Sequence, residues 1–401
     1  MEKSENQYKL GLDTIYLAKC ALWDVIPQTS VVESMDIPGV YAMAKKQSML
    51  AVAWYGLEKW LHSGKRQALD TDVELLTKWE QARDMAIRKN TMLDIAREQL
   101  QKYMDDNGIW YMPLKGSILK DLYPRPGMRQ MADNDILIDG AYRRQVFDYM
   151  KGQGYEGEYR EHTIHDEYHK KPFYNFEIHN ALVSQKYLPA IVEHYSNVRE
   201  RLVNAEGCGY SFRDEDFYIY MMVHAHRHHY NAGNGIRHIM DTQVYLEKMP
   251  VLDYDYMRRE LDCLGIAKYE ATVRSLSNKL FDKACSTPEE MDEALTTDER
   301  EFLAFNIDAG TYGTADIRVG RDLQKMSKGK RLTVNQKIRY CWKRLVRTGG
   351  IQYDFPRMAK YRILHPVLYV ARAIKMFVFN RKRLRSELKA VYSFGGEPGE
   401  R

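Results

Sequence analysis

Residues 114–140 read LKGSILKDLYPRPGMRQMADNDILIDG, and the change of texture inside this stretch decides the fold. Leu114 closes a short, aromatic-rich apolar run that begins at Ile109 and has the length of a strand. Gly116-Ser117 punctuates the run. Ile118, Leu119, Leu122 and Tyr123 then follow the spacing of a short helix, which Pro124, Pro126 and Gly127 break. Asp133-Asn134-Asp135-Ile136-Leu137-Ile138 is the next strand. A helix over 142–151, glycines at 152 and 154, an alternating segment near 155–160 and the run Phe173–His179 complete a β-α-β-α-β-β pattern, a small mixed module.

Outward from this module the periodicity is helical. Toward the N-terminus, residues 8–105 repeat apolar side chains at three and four, as in Val40, Met43, Ala44 and then Met49, Leu50, Ala53, Trp54, Leu57, Trp60 and Leu61. Asp70-Thr71-Asp72 offers N-cap oxygens to a long helix running from Leu75 to Met104, stopped by Asp105-Asp106-Asn107-Gly108. Toward the C-terminus, helices are expected over 187–203, 214–230, 236–248, 255–264, 267–281 and 297–309, then a loop at Gly310–Gly313, and a frayed end at Gly395–Gly399. The fold class is α+β.

The 401 residues exceed one compact core. A content of 44% hydrophobic and 29% charged residues excludes a largely disordered or collagen-like chain. Apolar runs are interrupted by charge, so a membrane-spanning helix is not expected, and MEKSENQYKLGLD lacks the features of a secretory leader. Cys20, Cys208, Cys263, Cys285 and Cys341 stand singly. They point to a reducing compartment, hence the cytoplasm, and away from a disulfide framework or a thiolate zinc site.

The chemistry-bearing residues lie in the mixed module. Asp133 and Asp135, two apart in a strand, project from one face. Two carboxylates so placed suit hard cations such as Mg²⁺, and a solvated strand end would carry the same pattern. Lys115-Gly116-Ser117 sits at a strand-to-helix turn, where backbone N–H groups, the serine hydroxyl and the lysine charge can meet phosphate. In the later strand Phe176 and Ile178 point one way, Glu177 and His179 the other. Glu177 is thereby a candidate base or further ligand. Arg129 could meet phosphate, brace the carboxylates or form a structural ion pair. Asn134, between the two aspartates, requires a hydrogen-bond partner if buried.

Taken together, LKGSILKDLYPRPGMRQMADNDILI (114–138), FEIHNAL (176–182) and HRHHYNAGNGIRHIMDTQVYL (226–246) resemble the bacterial family described as uncharacterised nucleotidyltransferases, within the superfamily typified by DNA polymerase beta. The resemblance covers about residues 105–250. It implies an NTP donor, with ATP the default, two Mg²⁺ ions (Mn²⁺ as a substitute) and nucleotidyl transfer to a hydroxyl acceptor. It maps Asp133, Asp135 and Glu177 to catalysis and metal binding, and Lys115, Gly116, Ser117, Arg129 and Arg237 to the nucleotide. Asn134 stands where that pattern has an apolar residue, which opens the alternative of a catalytically inactive module that binds nucleotide, RNA, a membrane surface or a protein. The corresponding domains are a helical region 1–105, a nucleotidyltransferase-like core 106–200, a helical cleft domain 201–320 and a basic helical region 321–401.

Two features outside the module remain. His224, His226, His228 and His229 invite a zinc reading through the i, i+4 pair His224/His228, but no cysteine or HExxH pattern accompanies them, and a polar cleft lining is the expectation. Arg237 and Asp241 are an i, i+4 pair, or Arg237 reaches substrate. Between Lys325 and Lys389, 19 Lys and Arg face only Asp354 and Glu387. A run this basic attracts an anionic partner. The apolar stretch 363–379 reads either as a core helix with a basic end or as an amphipathic helix on an anionic membrane. The interleaved Tyr340, Trp342, Tyr353, Phe355 and Tyr361 would equally serve RNA.

Overall fold

The computed structural model describes residues 2–65, 72–159, 163–284 and 286–313, with stretches between 317 and 392. The chain forms two compact units, residues 1–227 with 234–311, and residues 228–233 with 312–401.

The first unit opens with helices α1 (Glu2–Leu22), α2 (Thr29–Glu33), α3 (Ile37–Lys46), α4 (Leu50–Trp60) and α5 (Val73–Asp106). Asp72 caps α5 by accepting from Glu74 N at 2.8 Å. Asp70 and Thr71 lie outside the described residues. Gly56 on α4 lets α1 approach closely: a Cβ there would fall 2.1 Å from the Leu17 carbonyl oxygen. With 34 residues, α5 runs about 51 Å at 1.5 Å per residue and serves two cores. Leu76 and Trp79 join the helical core, while Ala96, Leu100 and Met104 pack beneath the sheet.

The sheet comprises β1 (Tyr111–Pro113), β2 (Asn134–Ile138), β3 (Glu156–Gly157), β4 (His165–Lys170) and β5 (Tyr174–His179), in the order β1-β2-β5-β4-β3. Only β2 and β5 run parallel. Helix α6 (Gly116–Leu119) follows β1, and α7 (Arg143–Gly152) connects β2 to β3. Ile136, Ile138, Phe176, Ile178 and Tyr168 face α5 and α7. Met112, Leu114 and Leu137 on the opposite face join a core with α9 (Asp214–Asn231), α11 (Tyr254–Cys263) and α12 (Ala267–Phe281). Helices α10 (Arg237–Lys248), α13 (Pro288–Glu293) and α14 (Thr297–Ala309) return to the N-terminal helices: Ile236, Ile239, Met291 and Ile307 share one core with Leu17, Val40 and Leu57. The α+β class is as expected.

Two expectations are corrected. Strand β4 was not foreseen, because its inward residues are Asp166 and Tyr168 rather than an apolar series. The buried Asp166 carboxylate is satisfied by the Arg143 guanidinium at 2.6 Å. The helix expected over 187–203 is instead α8 (Pro189–His194), a 3₁₀ turn (Val198–Arg201) and β6 (Leu202–Asn204), which pairs with β7 (Tyr210–Phe212). Pro189 opens α8, and Ser196 turns its hydroxyl back to the Glu193 carbonyl at 2.7 Å as the helix ends.

In the second unit, helices Val334–Leu345 and His365–Phe379 contact one another. The end at 395–399 and much of the basic run lie outside the described residues.

Candidate active site

The parallel pairing of β2 with β5 sets Asp135 beside Glu177 and Leu137 beside His179. Paired neighbours share a face, so the two carboxylates and the imidazole project away from the α5 side, toward α9. Asp133 immediately precedes β2, two residues from Asp135.

Three cationic or proton-bearing contacts organise these acids. Lys115 has a left-handed backbone, φ +48° and ψ −109°, uncommon for a residue with a side chain. From it the ammonium donates to Asp135 Oδ1 at 2.9 Å. His179 Nε2 lies 3.0 Å from the same oxygen and 3.5 Å from Glu177 Oε2. Both contacts on Asp135 fall on Oδ1, so Oδ2 has no hydrogen bond among the described residues.

The electrostatics follow from burial set against pairing. Burial alone would push the Asp135 carboxyl up, but Lys115 and His179 overcome it and hold Asp135 well below the usual carboxylate range. Burial disfavours the charged forms of Lys115 and His179, and the neighbouring carboxylates reverse this and raise both. Glu177 is lowered, first by the His179 hydrogen bond, against the effect of its own burial. Asp133 behaves oppositely: burial, then repulsion from Asp135 and Glu177, lifts its carboxyl up to about 6.

Asp135, Glu177 and His179 each offer one ligand atom, all within 4.8 Å of one another, and they are the one such group among the described residues. Donors about 2.1 Å from a common octahedral ion stand about 3 Å apart along an edge. The spacings of 3.0 and 3.5 Å are those of the contacts through the imidazole, whose proton a divalent cation would replace.

The other expected residues are distributed as follows. Gly116 opens α6, and a Cβ on it would meet Arg129 Nη1 at 2.8 Å, so the glycine makes room for that guanidinium. The Ser117 hydroxyl, expected to donate to phosphate, instead donates to the Leu114 carbonyl at 2.9 Å and is buried. Arg129 takes the structural ion pair among its expected roles. It forms a bidentate pair with Asp241 at 2.9 and 3.0 Å, joined by the Tyr123 hydroxyl at 2.7 Å. Asp241 is thus held by Arg129 in a bidentate pair, while the i, i+4 residue Arg237, whose charge also lowers the Asp241 carboxyl, donates to the Gln130 carbonyl at 3.1 Å. Asn90 on α5 fastens the same loop, donating to the Arg129 carbonyl and accepting from Met131 N. These ties fix the segment that delivers Asp133 to the site.

Asn134 points to the α5 side. Its amide donates to the Leu93 carbonyl at 2.8 Å, and its oxygen accepts from Arg97 at 3.3 Å. The hydrogen-bond partners that this buried residue requires are thus supplied by the long helix. His179 and Tyr220 carry signals that composition alone does not rank. The E-x-H spacing put His179 on the Glu177 face, but its bond to Asp135 depends on strand pairing. Tyr220 is buried on α9, where burial raises it to about 12 and the charges of Lys115 and Asp135 act on it in opposite senses. In the histidine cluster, His226 bonds the Tyr187 hydroxyl and is pushed down by burial to about 4.

The mixed sheet thus sets paired carboxylates on adjacent parallel strands beside a lysine-bearing strand-to-helix turn. The model of the family described as uncharacterised nucleotidyltransferase matches residues 33–282, and the chain belongs to that family. Membership implies a transferase that moves a nucleotidyl group from a nucleotide donor. No curated protein and no solved structure matches the chain.

Proposed function

We propose that the protein transfers the nucleotidyl group of an NTP, with ATP as donor, to a hydroxyl acceptor at the face of β2 and β5. The observation that carries this reading is the Asp135–Glu177 register across parallel strands, closed by His179 and Lys115. Asp135 and Glu177 would hold Mg²⁺, with Asp133 as the third carboxylate and His179 completing the donor set. When bound, the divalent ions supply charge neutralisation on the triphosphate and the departing pyrophosphate. The chain's own residues do the rest. Lys115 holds Asp135 in place and adds positive charge where phosphate enters. Glu177, the more exposed of the two paired acids, faces the acceptor and takes its hydroxyl proton. Arg237, anchored at the loop ahead of Asp133, offers a second cation to the nucleotide. The reaction breaks the bond between the α-phosphorus and the bridging oxygen, forms one from the acceptor oxygen to that phosphorus, and releases pyrophosphate.

The test is incubation of the full chain with each α-labelled NTP, Mg²⁺ and cell extract as the acceptor source. Transfer of label with pyrophosphate release is expected, with loss of at least about a hundredfold in Glu177→Gln. Absence of both transfer and Mg²⁺-dependent NTP binding refutes the proposal.

One observation favours a second reading. The Lys115 ammonium already sits on Asp135 Oδ1, as a built-in cation would in a module that binds nucleotide without metal or catalysis. NTP binding unaffected by chelation, without turnover, would support that reading.

A further inference from the structure

Helix Val334–Leu345 exposes Val334, Ile338 and Trp342, each more than half accessible. At 100° per residue these fall within an arc of about 80°. Tyr340 points the other way and is buried with Val319, Leu323 and Val391. Helix His365–Phe379 repeats the arrangement. Leu368 packs on Ile351, while Val367, Val370 and Ile374 form a second exposed stripe, with Ile363 exposed just ahead of the helix. Each helix thus has one apolar face spent on its own unit and another that is not.

The charge around these stripes is one-sided. Residues 321–401 contain 21 Lys and Arg against 5 Asp and Glu, a net +16 in a chain whose total is +5. Lys337 and Arg339 flank the first stripe, whereas Lys375 stands over the Phe355 ring on the Leu368 side of the second helix. The occupant must therefore be apolar and anionic together. The apolar residues are overwhelmingly aliphatic, which suits acyl chains. Single-stranded RNA is gripped through aromatic stacking platforms, and Trp342 is the one aromatic among the six stripe residues. Neither helix spans a bilayer: the 15 residues of His365–Phe379 cover about 22 Å, short of a core of about 30 Å. No described helix is long and apolar enough to cross a membrane.

We propose that helices Val334–Leu345 and His365–Phe379 dock the protein on an anionic lipid surface, inserting the Val334/Ile338/Trp342 and Val367/Val370/Ile374 stripes while Lys337 and Arg339 beside the first stripe meet lipid headgroups. The inference is independent of the chemistry at the strand face. It is tested by sedimenting the full chain with vesicles of phosphatidylcholine, with and without phosphatidylserine. Binding is expected only with phosphatidylserine and is weakened by salt. Ile338→Asp and Ile374→Asp should each reduce it about tenfold, with circular dichroism and melting unchanged because both positions are exposed. Four results overturn the proposal. These are no vesicle binding, binding equal in wild type and both variants, single-stranded RNA binding without vesicle binding, and a dimer that Ile374→Asp dissociates without vesicle binding.

Discussion

Replacing Asp135 by Asn tests the charge balance of the site before any catalysis is measured. The carboxylate is buried and carries two partners on one oxygen, Lys115 at 2.9 Å and His179 at 3.0 Å. An amide of the same shape removes the negative charge and leaves the Lys115 ammonium, whose side chain is only 18% exposed, without its counter-ion. Breaking one side of such a pair costs about 3–5 kcal/mol. At roughly 2–4 °C per kcal/mol for a folded unit of this size, Asp135→Asn should melt about 6–20 °C below wild type. The double variant Asp135→Asn/Lys115→Met removes both charges and should recover at least about 2 kcal/mol. Urea denaturation followed by far-UV circular dichroism measures both. The sign with pH is fixed: Asp135 is depressed below its unfolded value of 3.8, so its contribution is fully present above that pH and is lost on acidification below it. An Asp135→Asn variant within 1 kcal/mol of wild type, or a double variant no better than the single, would refute the compensation argument. Loss of transfer by Asp135→Asn is accordingly interpretable only at temperatures where the variant is folded.

Glu299 completes a capping box with Thr296 and accepts from Lys279 at 2.7 Å and Ser275 at 2.6 Å. Burial acts upward on its carboxyl, and these donors together bring it down to about 2 from 4.5. Its stabilisation is present above pH 4.5 and drains away as pH falls toward 2. Glu299→Gln should cost about 1 kcal/mol at neutral pH and flatten stability across that window. Asn134→Val removes the bonds to Leu93 and Arg97 and should cost about 1–2 kcal/mol while sparing transfer at low temperature. A loss of transfer with unchanged stability would instead give Asn134 a role in the reaction.

Much of this architecture is legible in the sequence because it is written in local patterns. The proline and glycine punctuation at 124–127 ends the helix after Gly116, the alternation in Phe176–His179 separates the core face from the acidic face, and the long periodicity to Met104 gives α5. What local patterns do not carry is pairing between distant segments. Strand β4 hides because its inward position is filled by Asp166, whose partner Arg143 lies 23 residues away. The fate of Arg129 was equally hidden: a guanidinium four residues ahead of Asp133 finds its counter-ion on α10, 112 residues onward. The N-terminal helices offer no sequence signal that they share a core with α10, α13 and α14.

The residue that most departs from the family pattern shows how the two kinds of information combine. In sequence Asn134 is a polar side chain on a face expected to be apolar, and by itself it argues against an intact strand. Its position becomes reasonable only because α5 is long enough to pass under β2 after leaving the helical core, and so brings the Leu93 carbonyl and the Arg97 guanidinium within reach. Satisfying Asn134 on that side keeps the register that sets Asp135 beside Glu177 on the other. A one-residue slip of β2 would exchange its faces, burying Asp135 against Phe176 and Ile178 and away from Glu177. The Asn134 bonds and the Asp135 ion pair therefore lie on opposite faces of one strand, and both are satisfied in the register that the pairing of Asp135 with Glu177 gives.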